Sequence, residues 1–406
     1  MSEEKLVPKL RFSGFDDEWQ SCRFDELFDF QVAGDMKKEL FNEEFIDEYK
    51  YPLYANALEN EGLLGYYKEY KYNPNSITVT ARGNIGHATA RKNKFNAVGR
   101  LIILTPKEDL NIEFFTEYIN NNVKIYIEST GVPQLTAPSL KINKLHYPTL
   151  NEQNKISNLL IMLNNKIELL GQKHQLYQYF KKYLMQQIFT QKLRFKSADG
   201  EQYSDWKERN LYEFLTEHKL KSTGNEEVYS VSVHKGLVNQ KEHLGRDFSA
   251  PDTSKYNLVK PGDIVYTKSP TGDFPLGIIK QSRVDKNVIV SPLYGVFTPE
   301  TYALGYILND YFESNVNTHN YLHPIVQKGA KNTMNITNKT FLSKTLFVPT
   351  DVNEQQKIAE CFSKVNDSIR NIEIQQNKVN EFKKGLLQQM FVVQLILSLL
   401  QNKKHI

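Results

Sequence analysis

Cysteine is scarce in this 406-residue chain, and long apolar segments are missing altogether. Cys22 and Cys361 lie far apart in sequence, which argues against a disulfide framework and favours a reducing compartment. The charged amino terminus lacks the apolar run of a signal peptide, and the apolar run from Phe391 to Leu400 is too short to cross a bilayer. These absences predict a cytoplasmic protein without a membrane segment.

Sequence motifs for catalysis, nucleotide binding and metal binding are also missing. The chain has neither the Gly-x-Gly-x-x-Gly pattern of dinucleotide-binding turns nor a P-loop. Asn73-Pro74-Asn75 lacks the second proline and the aromatic residue of the amino-methyltransferase motif. His319 and His323 are four residues apart, but no glutamate lies between them and no third ligand is evident. We therefore expect no catalytic residue, no metal and no cofactor on this chain.

Length, composition and charge indicate two folded domains of ordinary type. A chain of 406 residues exceeds one typical core, and 40% hydrophobic with 24% charged residues is usual for a packed protein. The formal net charge is only +4, but residues 66–100 carry seven Lys or Arg against one Glu, and residues 314–350 carry four Lys and no acid. Such segments can bind phosphate or form a solvated surface, and both interpretations stay open.

A sequence repeat organises the whole chain. Residues 151–189 align without gaps with residues 353–391, at a constant offset of 202 positions. Both copies begin with Asn-Glu-Gln-x-Lys-Ile and end with Phe-Lys-Lys-x-Leu-x-Gln-Gln-x-Phe. A shorter match precedes the second half, where Leu193-Arg194-Phe195 corresponds to Leu10-Arg11-Phe12. The chain is thus one unit used twice.

Each copy of the repeat has the apolar spacing of a coiled-coil helix, in steps of four and three residues. Two polar positions interrupt both copies at matching places, and such positions set register and partner choice in coiled coils. A stripe that covers only its own domain is the alternative, but a helix this long reaches about 60 Å. We predict that the helices pack antiparallel as a connector. The residues assigned to the seam and to partner contact are Ile156, Leu163, His174, Lys181, Ile358, Val365, Gln376 and Lys383.

The segments outside the helices predict two mixed domains. Thr105-Pro106 and Thr298-Pro299 follow strand-like runs and are plausible starts for helices near 112–126 and 302–312. The fold class is therefore α+β, with two mixed α/β domains separated by two long antiparallel coiled-coil helices in a pseudo-twofold internal repeat. The predicted boundaries are 1–150 for the first domain, 151–190 for the first helix, 191–350 for the second domain, 351–391 for the second helix, and 392–406 for an apolar and basic tail.

A hairpin with a basic, amide-rich tip is predicted around residues 80–94, and the second domain aligns with it from Thr267. Arg and Asn suit bidentate reading of guanine and adenine edges. For each single residue, a solvated polar hairpin is the alternative. The candidate DNA contacts in the two domains are Thr80, Arg82, Asn84, Arg91, Lys92, Lys94, Gln134, Lys268, Ser269, Thr271, Lys328, Lys331 and Asn332.

The order domain, helix, domain, helix, with the two helix signatures quoted above, resembles the specificity subunit of type I restriction-modification enzymes. The resemblance covers nearly the whole chain to about Phe391. It implies two target-recognition domains, each reading one half of a bipartite site in double-stranded DNA, with helices that set the gap between the halves.

The resemblance also implies a subunit without catalytic activity of its own. Two methyltransferase subunits would use S-adenosylmethionine to methylate adenine, and restriction subunits would use ATP and Mg²⁺, so these cofactors would belong to the partners. Two other functions stay open from the residues alone: a self-sufficient DNA methyltransferase or nuclease, and a structural coiled-coil adaptor.

Overall fold

The computed structural model describes residues 4–123, 133–241, 252–328, 334–391 and 393–397. It divides into two compact units. Unit 1 comprises Met1–Gly171 and Ile374–Ile406, and unit 2 comprises Gln172–Glu373. In the described ranges, no helix is long and apolar enough to cross a membrane.

Two long helices correspond to the two copies of the repeat, and both contribute residues to both units. Their bounds agree with the predicted helices to within one residue at each end. The helices are α1 (Phe24–Leu27), α2 (Ile112–Asn122), α3 (Ala137–Lys141), α4 (Leu150–Phe189), α5 (Tyr302–Phe312), α6 (Asn315–Leu322), α7 (Asn338–Leu342) and α8 (Val352–Met390).

The first domain, in unit 1, contains two four-stranded sheets and a separate strand pair. The sheet orders are β3-β10-β7-β8 and β4-β6-β5-β9, and β2 pairs with β11. The strands are β1 (Glu4–Pro8), β2 (Gln20–Arg23), β3 (Phe28–Val32), β4 (Phe41–Asn42), β5 (Tyr51–Tyr54), β6 (Leu63–Tyr67), β7 (Ser76–Val79), β8 (Ala88–Arg91), β9 (Asn96–Ala97), β10 (Ile102–Pro106) and β11 (Lys144–Tyr147).

The second domain, in unit 2, contains a four-stranded sheet of order β13-β20-β17-β18 and several strand pairs, β12 with β23 among them. The strands are β12 (Lys207–Asn210), β13 (Leu215–Glu217), β14 (Tyr229–Ser232), β15 (Gly236–Asn239), β16 (Asn257–Val259), β17 (Ile264–Tyr266), β18 (Ile279–Gln281), β19 (Val288–Val290), β20 (Gly295–Pro299), β21 (Gln327–Lys328), β22 (Met334–Asn335) and β23 (Thr345–Val348).

One framework is therefore built twice. The sheet β3-β10-β7-β8 has the same strand order as β13-β20-β17-β18, and in each domain a capped helix follows the second strand of that order. The domains differ in what is added to the framework, which is the sheet β4-β6-β5-β9 in the first and the pairs β14–β15, β16–β19 and β21–β22 in the second. The predicted α+β fold with an internal repeat is confirmed.

The helices predicted near 112 and 302 are confirmed, and they begin at Ile112 and Tyr302. The interpretation of Thr105-Pro106 and Thr298-Pro299 as the starts of these helices is wrong, because both prolines end β-strands that pair in the sheet. The helices begin a few residues later, where a side chain caps them. The Asn111 Oδ1 atom accepts a hydrogen bond from the Phe114 amide, and the Thr301 hydroxyl accepts one from the Leu304 amide. The first of these helices ends at Asn122 rather than near residue 126.

The hydrophobic cores show how the long helices pack in each unit. In unit 1, Ile156 and Leu160 at the start of α4 share a core with Met390 at the end of α8 and with Phe114 of α2. In unit 2, the end of α4 shares a core with the start of α8 and with Trp206. The helices are therefore antiparallel within each unit. Their apolar residues pack both against the other long helix and against the domain, so both interpretations of the apolar spacing, a connector and a domain-covering helix, hold.

The helix-start signature forms a buried ion pair in each unit. Arg11 donates from Nε and Nη2 to the two carboxylate oxygens of Glu152, at 2.8 and 2.7 Å. Arg194 does the same to Glu354, at 3.1 and 3.0 Å. The side chains of Glu152 and Glu354 are each 1% exposed. These hydrogen bonds raise the pKa of both arginines. The pairing explains why Leu-Arg-Phe and Asn-Glu-Gln recur together.

The tail beyond α8 contributes a strand, β24 (Val393–Leu397), that pairs antiparallel with β1, placing Glu4 opposite Leu397. Next to it, the Leu10 amide donates to the Gln389 carbonyl at 3.1 Å, just as the Leu193 amide donates to the Gln187 carbonyl at 3.1 Å. The segment at Leu10 therefore contacts the end of α8 in the same way as the segment at Leu193 contacts the end of α4. The other tail residues lie outside the described ranges.

We expect Arg194→Met to lower the free energy of unfolding by about 3 to 5 kcal/mol, because it leaves the buried Glu354 carboxylate without its partner. Urea denaturation followed by tryptophan fluorescence measures the change, since Trp206 donates its indole N–H to Glu354 at 3.1 Å. Arg23→Met, which removes an exposed ion pair with Asp25, should leave the stability nearly unchanged. Similar effects of the two substitutions would contradict the assignment.

Candidate DNA interface

The hairpin of β7 and β8 carries the candidate loop of the first domain. Thr80 closes the loop, because its amide donates to the His87 carbonyl at 2.9 Å and its hydroxyl accepts from the His87 amide at 2.9 Å. Asn56 Oδ1 accepts a hydrogen bond from the Ala81 amide at 2.7 Å. Gly83 adopts φ 68°, a left-handed conformation that favours glycine. This fixed turn leaves Arg82 and Asn84 exposed at the tip.

The hairpin of β17 and β18 carries the equivalent loop of the second domain. The Thr267 amide donates to the Ile278 carbonyl at 3.0 Å, and the Thr267 hydroxyl accepts from the Ile278 amide at 3.0 Å. Thr80 and Thr267 therefore have the same role, but the loop is longer in the second domain, spanning 267–278 instead of 80–87. Ser269 and Thr271 are exposed, whereas Lys268 is half-buried, and burial lowers its pKa.

Two of the predicted DNA contacts, Thr80 and Arg91, are wrong, because both side chains are buried inside the first domain. Thr80 is occupied in closing its loop. Arg91 is 4% exposed, and its guanidinium carbon lies 3.5 Å from the centre of the Tyr54 ring. Arg91 also donates to the Thr78 hydroxyl at 2.9 Å and to the Glu61 carbonyl at 2.7 Å. Burial lowers the pKa of Arg91. The residue joins the two sheets of the domain.

The remaining candidates of the first domain are at the surface, and two of them touch. Arg82 Nη2 donates to Gln134 Oε1 at 3.2 Å, which brings residues 52 positions apart into one tip. Lys92 forms an ion pair with Glu113 at 2.6 Å. In the second domain, Lys328 lies in β21, whereas Lys331 and Asn332 lie outside the described residues.

A surface in the first domain on which two tyrosine rings lie between two lysines was missed from the sequence, apart from Lys94, which is one of the predicted contacts. We call it the Lys–Tyr ladder. Lys94 Nζ lies 4.2 Å from the Tyr70 ring centre, the Tyr70 and Tyr51 ring centres are 5.1 Å apart, and Lys50 Nζ lies 5.5 Å from the Tyr51 ring centre. Contact with Tyr70 raises the pKa of Lys94. Fixed cations on exposed rings suit contacts with a nucleic-acid backbone. The available signal was the density of tyrosines beside lysines in residues 49–72.

The polar positions of the helix seams divide into two kinds. His174 lies 2.9 Å from Glu373 in unit 2, and Gln376 donates to the Ile167 carbonyl at 3.4 Å in unit 1, so these two contact the other long helix. Lys181 and Lys383 do not contact the other long helix directly in this way, because they pair with carboxylates of α5 and α2, at Asp310 and Glu117. Their role in setting the register between the helices stays a prediction. The apolar seam residues Ile156, Ile358 and Val365 are buried, and Leu163 is partly buried.

Equivalent positions of the repeat line a cleft in each unit. The cleft of unit 2 has a volume of about 1570 Å³ and also borders the end of α5. The cleft of unit 1 has a volume of about 400 Å³ and also borders the end of α2 at Asn121 and Asn122. The five shared positions are Gln178, Lys181, Lys182, Met185 and Gln186 on α4, and Asn380, Lys383, Lys384, Leu387 and Gln388 on α8.

Metal ligands do not cluster in the described residues, where no group of three or more His, Cys, Asp or Glu could hold an ion. The rings of His319 and His323 stack on each other with their centres 4.8 Å apart. One framework built twice, with unlike loops exposed at the same place, is the architecture of a modular recognition protein.

Comparisons with known proteins agree with the resemblance. Residues 16–177 match the family model of the type I restriction modification DNA specificity domain. Two putative type I specificity subunits of Mycoplasma pneumoniae are 32% identical over 173 residues and 29% identical over 151 residues. These matches cover 40% and 37% of this chain, and 47% and 45% of the relatives. The chain therefore spans about half the length of the curated relatives it matches. The resemblance seen in the sequence is confirmed.

The fold has a solved counterpart in the S subunit of a type I restriction-modification system from M. genitalium. The TM-score is 0.63 at 15% sequence identity, and the match covers 95% of this chain and 99% of that chain. At this identity the likeness concerns the fold.

We expect Arg91→Met to destabilise unit 1 by about 1 to 3 kcal/mol, because it leaves buried polar partners unsatisfied. Arg82→Met, in the same hairpin but exposed, should leave thermal stability unchanged. The melting temperatures of the two variants make the comparison. Equal stability of both variants would return Arg91 to the set of candidate DNA contacts.

Proposed function

We propose that this chain is the sequence-reading specificity subunit of a type I restriction-modification complex, in which each recognition domain binds one half of a bipartite target in double-stranded DNA. The observation that carries the proposal is the duplicated hairpin framework with unlike loops at 80–87 and 267–278. A repeated scaffold with different tips suits two different half-sites. The long helices would set the gap between the half-sites.

Different groups of residues would take different parts of the DNA. The Arg82 guanidinium and the Asn84 amide are suited to hydrogen bonds with base edges in the major groove, as are the polar side chains of residues 268–271. The lysines of the Lys–Tyr ladder are suited to phosphates, which position the protein without carrying sequence information. Gln134 would orient Arg82 through their shared hydrogen bond.

We further propose that methylation and cleavage belong to partner subunits, which would hold S-adenosylmethionine and, for restriction, ATP and Mg²⁺. The family description as a DNA specificity domain supports this division of labour. Methyl transfer or DNA cleavage by the purified chain alone would favour the alternative of a self-sufficient enzyme.

Two methyltransferase subunits are the proposed partners, one at each cleft. The support is that the same five positions of the repeat line both clefts, so that one partner surface could bind twice. Lys182 and Lys384 are the exposed cations at equivalent places in these clefts.

We expect Lys182→Glu or Lys384→Glu alone to reduce the assembly from two methyltransferase subunits per chain to one, because each reverses a charge in one cleft. The double variant should bind none. Native mass spectrometry of the assembled complex gives the stoichiometry. Lys166→Glu, an exposed position on α4 outside the residues that line either cleft, is the matched control and should retain two. Two bound subunits in the double variant would refute the assignment.

Binding to a library of duplexes tests the function itself, with the chain assembled with its methyltransferase partner. We expect one split sequence to bind at least about 10³-fold more tightly than unrelated DNA, with affinity that falls as salt rises. Arg82→Ala should relax the preference at one base position by roughly 1 to 3 kcal/mol. Equal affinity for all duplexes would contradict the proposal.

A further inference from the structure

A carboxylate in unit 1 joins three helices. Glu117 of α2 accepts a hydrogen bond from Asn164 Nδ2 of α4 at 3.1 Å, and the same oxygen accepts one from Lys383 Nζ of α8 at 3.0 Å. The recognition domain is therefore connected to both long helices through one side chain. We call this group of three residues the unit 1 node.

A carboxylate in unit 2 makes the corresponding connection. Asp310 of α5 accepts a hydrogen bond from Asn366 Nδ2 of α8 at 3.1 Å, and it lies 3.7 Å from Lys181 Nζ of α4. Its side chain is fully buried. Asn164 and Asn366 are equivalent in the repeat, as are Lys383 and Lys181. The unit 2 node therefore uses the same two helix positions, with the two helices exchanged.

The two carboxylates do not occupy equivalent positions. Glu117 is six residues after the helix cap Asn111, whereas Asp310 is nine residues after the cap Thr301. A difference of three residues is about one helical turn, so both side chains lie on the same face of their helices. Each domain thus places a carboxylate between a lysine and an asparagine at equivalent positions of the repeat, but the carboxylate comes from a different position on the domain's own helix. Both domains meet the same geometric requirement by different residues.

The unit 2 node extends to β18, the strand that follows the candidate loop. Glu313 forms ion pairs with Lys181 and with Lys280 Nζ, the latter at 2.9 Å, and Lys280 lies in β18. That strand ends the hairpin whose loop holds residues 267–278. Burial alone would raise the pKa of Glu313, but the charges of Lys280 and Lys181 lower it to about 2. Burial raises the pKa of Asp310.

Asp310 is fully buried and Glu117 partly so. Ion pairs at such positions are seldom the main source of stability, because apolar side chains of similar volume can stabilise a protein equally well. A hydrogen-bonded network instead restricts orientation, since each donor and acceptor must keep its partner. An orientation requirement makes sense at a contact that fixes a recognition domain against the helices that set the gap.

We propose that Glu117 and Asp310 are positioning residues for target spacing, each holding its recognition domain in the one orientation on the long helices that fits the correct gap between half-sites. This inference rests on the proposed function. It predicts that loosening a node relaxes the discrimination between gap lengths without changing the bases read in either half-site.

The test compares the affinities of the assembled complex for its split target and for targets with a gap one base pair shorter or longer. For Glu117→Gln and for Asp310→Asn, we expect the ratio of correct-gap to altered-gap affinity to fall about tenfold, which is the effect of losing about 1.4 kcal/mol. Base preferences within each half-site should not change. Because Lys181 also lines the unit 2 cleft, its variants are compared only in complexes that native mass spectrometry shows to hold two methyltransferase subunits. There, Lys181→Met should behave like Asp310→Asn, and Lys181→Arg should retain much of the discrimination.

Two further variants keep the result decisive. Glu300→Gln breaks an ion pair with Arg209 within the second domain that involves no long helix, and it should retain full gap discrimination. Asn164→Ala removes one donor from the unit 1 node at an exposed position, so it decides the question if the buried Asp310 variant does not fold.

The outcomes separate the two proposals. If the unaltered protein prefers no split target, the proposed function fails. If it discriminates gap lengths and the node variants do so equally well, or if they lose affinity for all gaps alike, the positioning role is overturned.

Discussion

The buried carboxylate at the start of each long helix is the interaction on which the rest of the structure depends. Glu152 and Glu354 are almost inaccessible to water, so each is tolerable only with a bidentate arginine and the positive end of a helix beside it. The arginine belongs to the segment that leads into the folded domain. The pair therefore fixes where each helix begins relative to the domain that it serves, once in each unit.

This constraint leaves the exposed hairpin loops free to vary. The sheet, the capped helix and the start of the long helix are the same in both domains, and Thr80 and Thr267 close their hairpins by the same hydrogen bonds. The residues beyond these points differ in length and chemistry. A second attachment, by a carboxylate on α2 or α5, holds each domain to both long helices. The residues of both attachments lie outside the loops at 80–87 and 267–278.

The sequence predicted the features that depend on local periodicity and failed where burial depends on distant residues. The helix bounds came within one residue because a four-three repeat is read along a single segment. Arg91 was misassigned because its partner Tyr54 comes from an added sheet that no local pattern links to β8. The spacing predicted that Lys181 and Lys383 lie on the packed side of their helices. It could not predict that each lysine pairs with a carboxylate on a helix of the domain rather than with the other long helix. The Lys–Tyr ladder was missed because its rings come from separate strands and turns.

The central claim is that one framework carries two unlike readers for a split target. Mapping methylated adenines in the DNA of cells with and without this gene tests it most directly. The account predicts a bipartite motif with a methylated adenine in each half, present only in cells that carry the gene. A methylation pattern that does not change when the gene is removed, or a lost motif that is continuous, would contradict it.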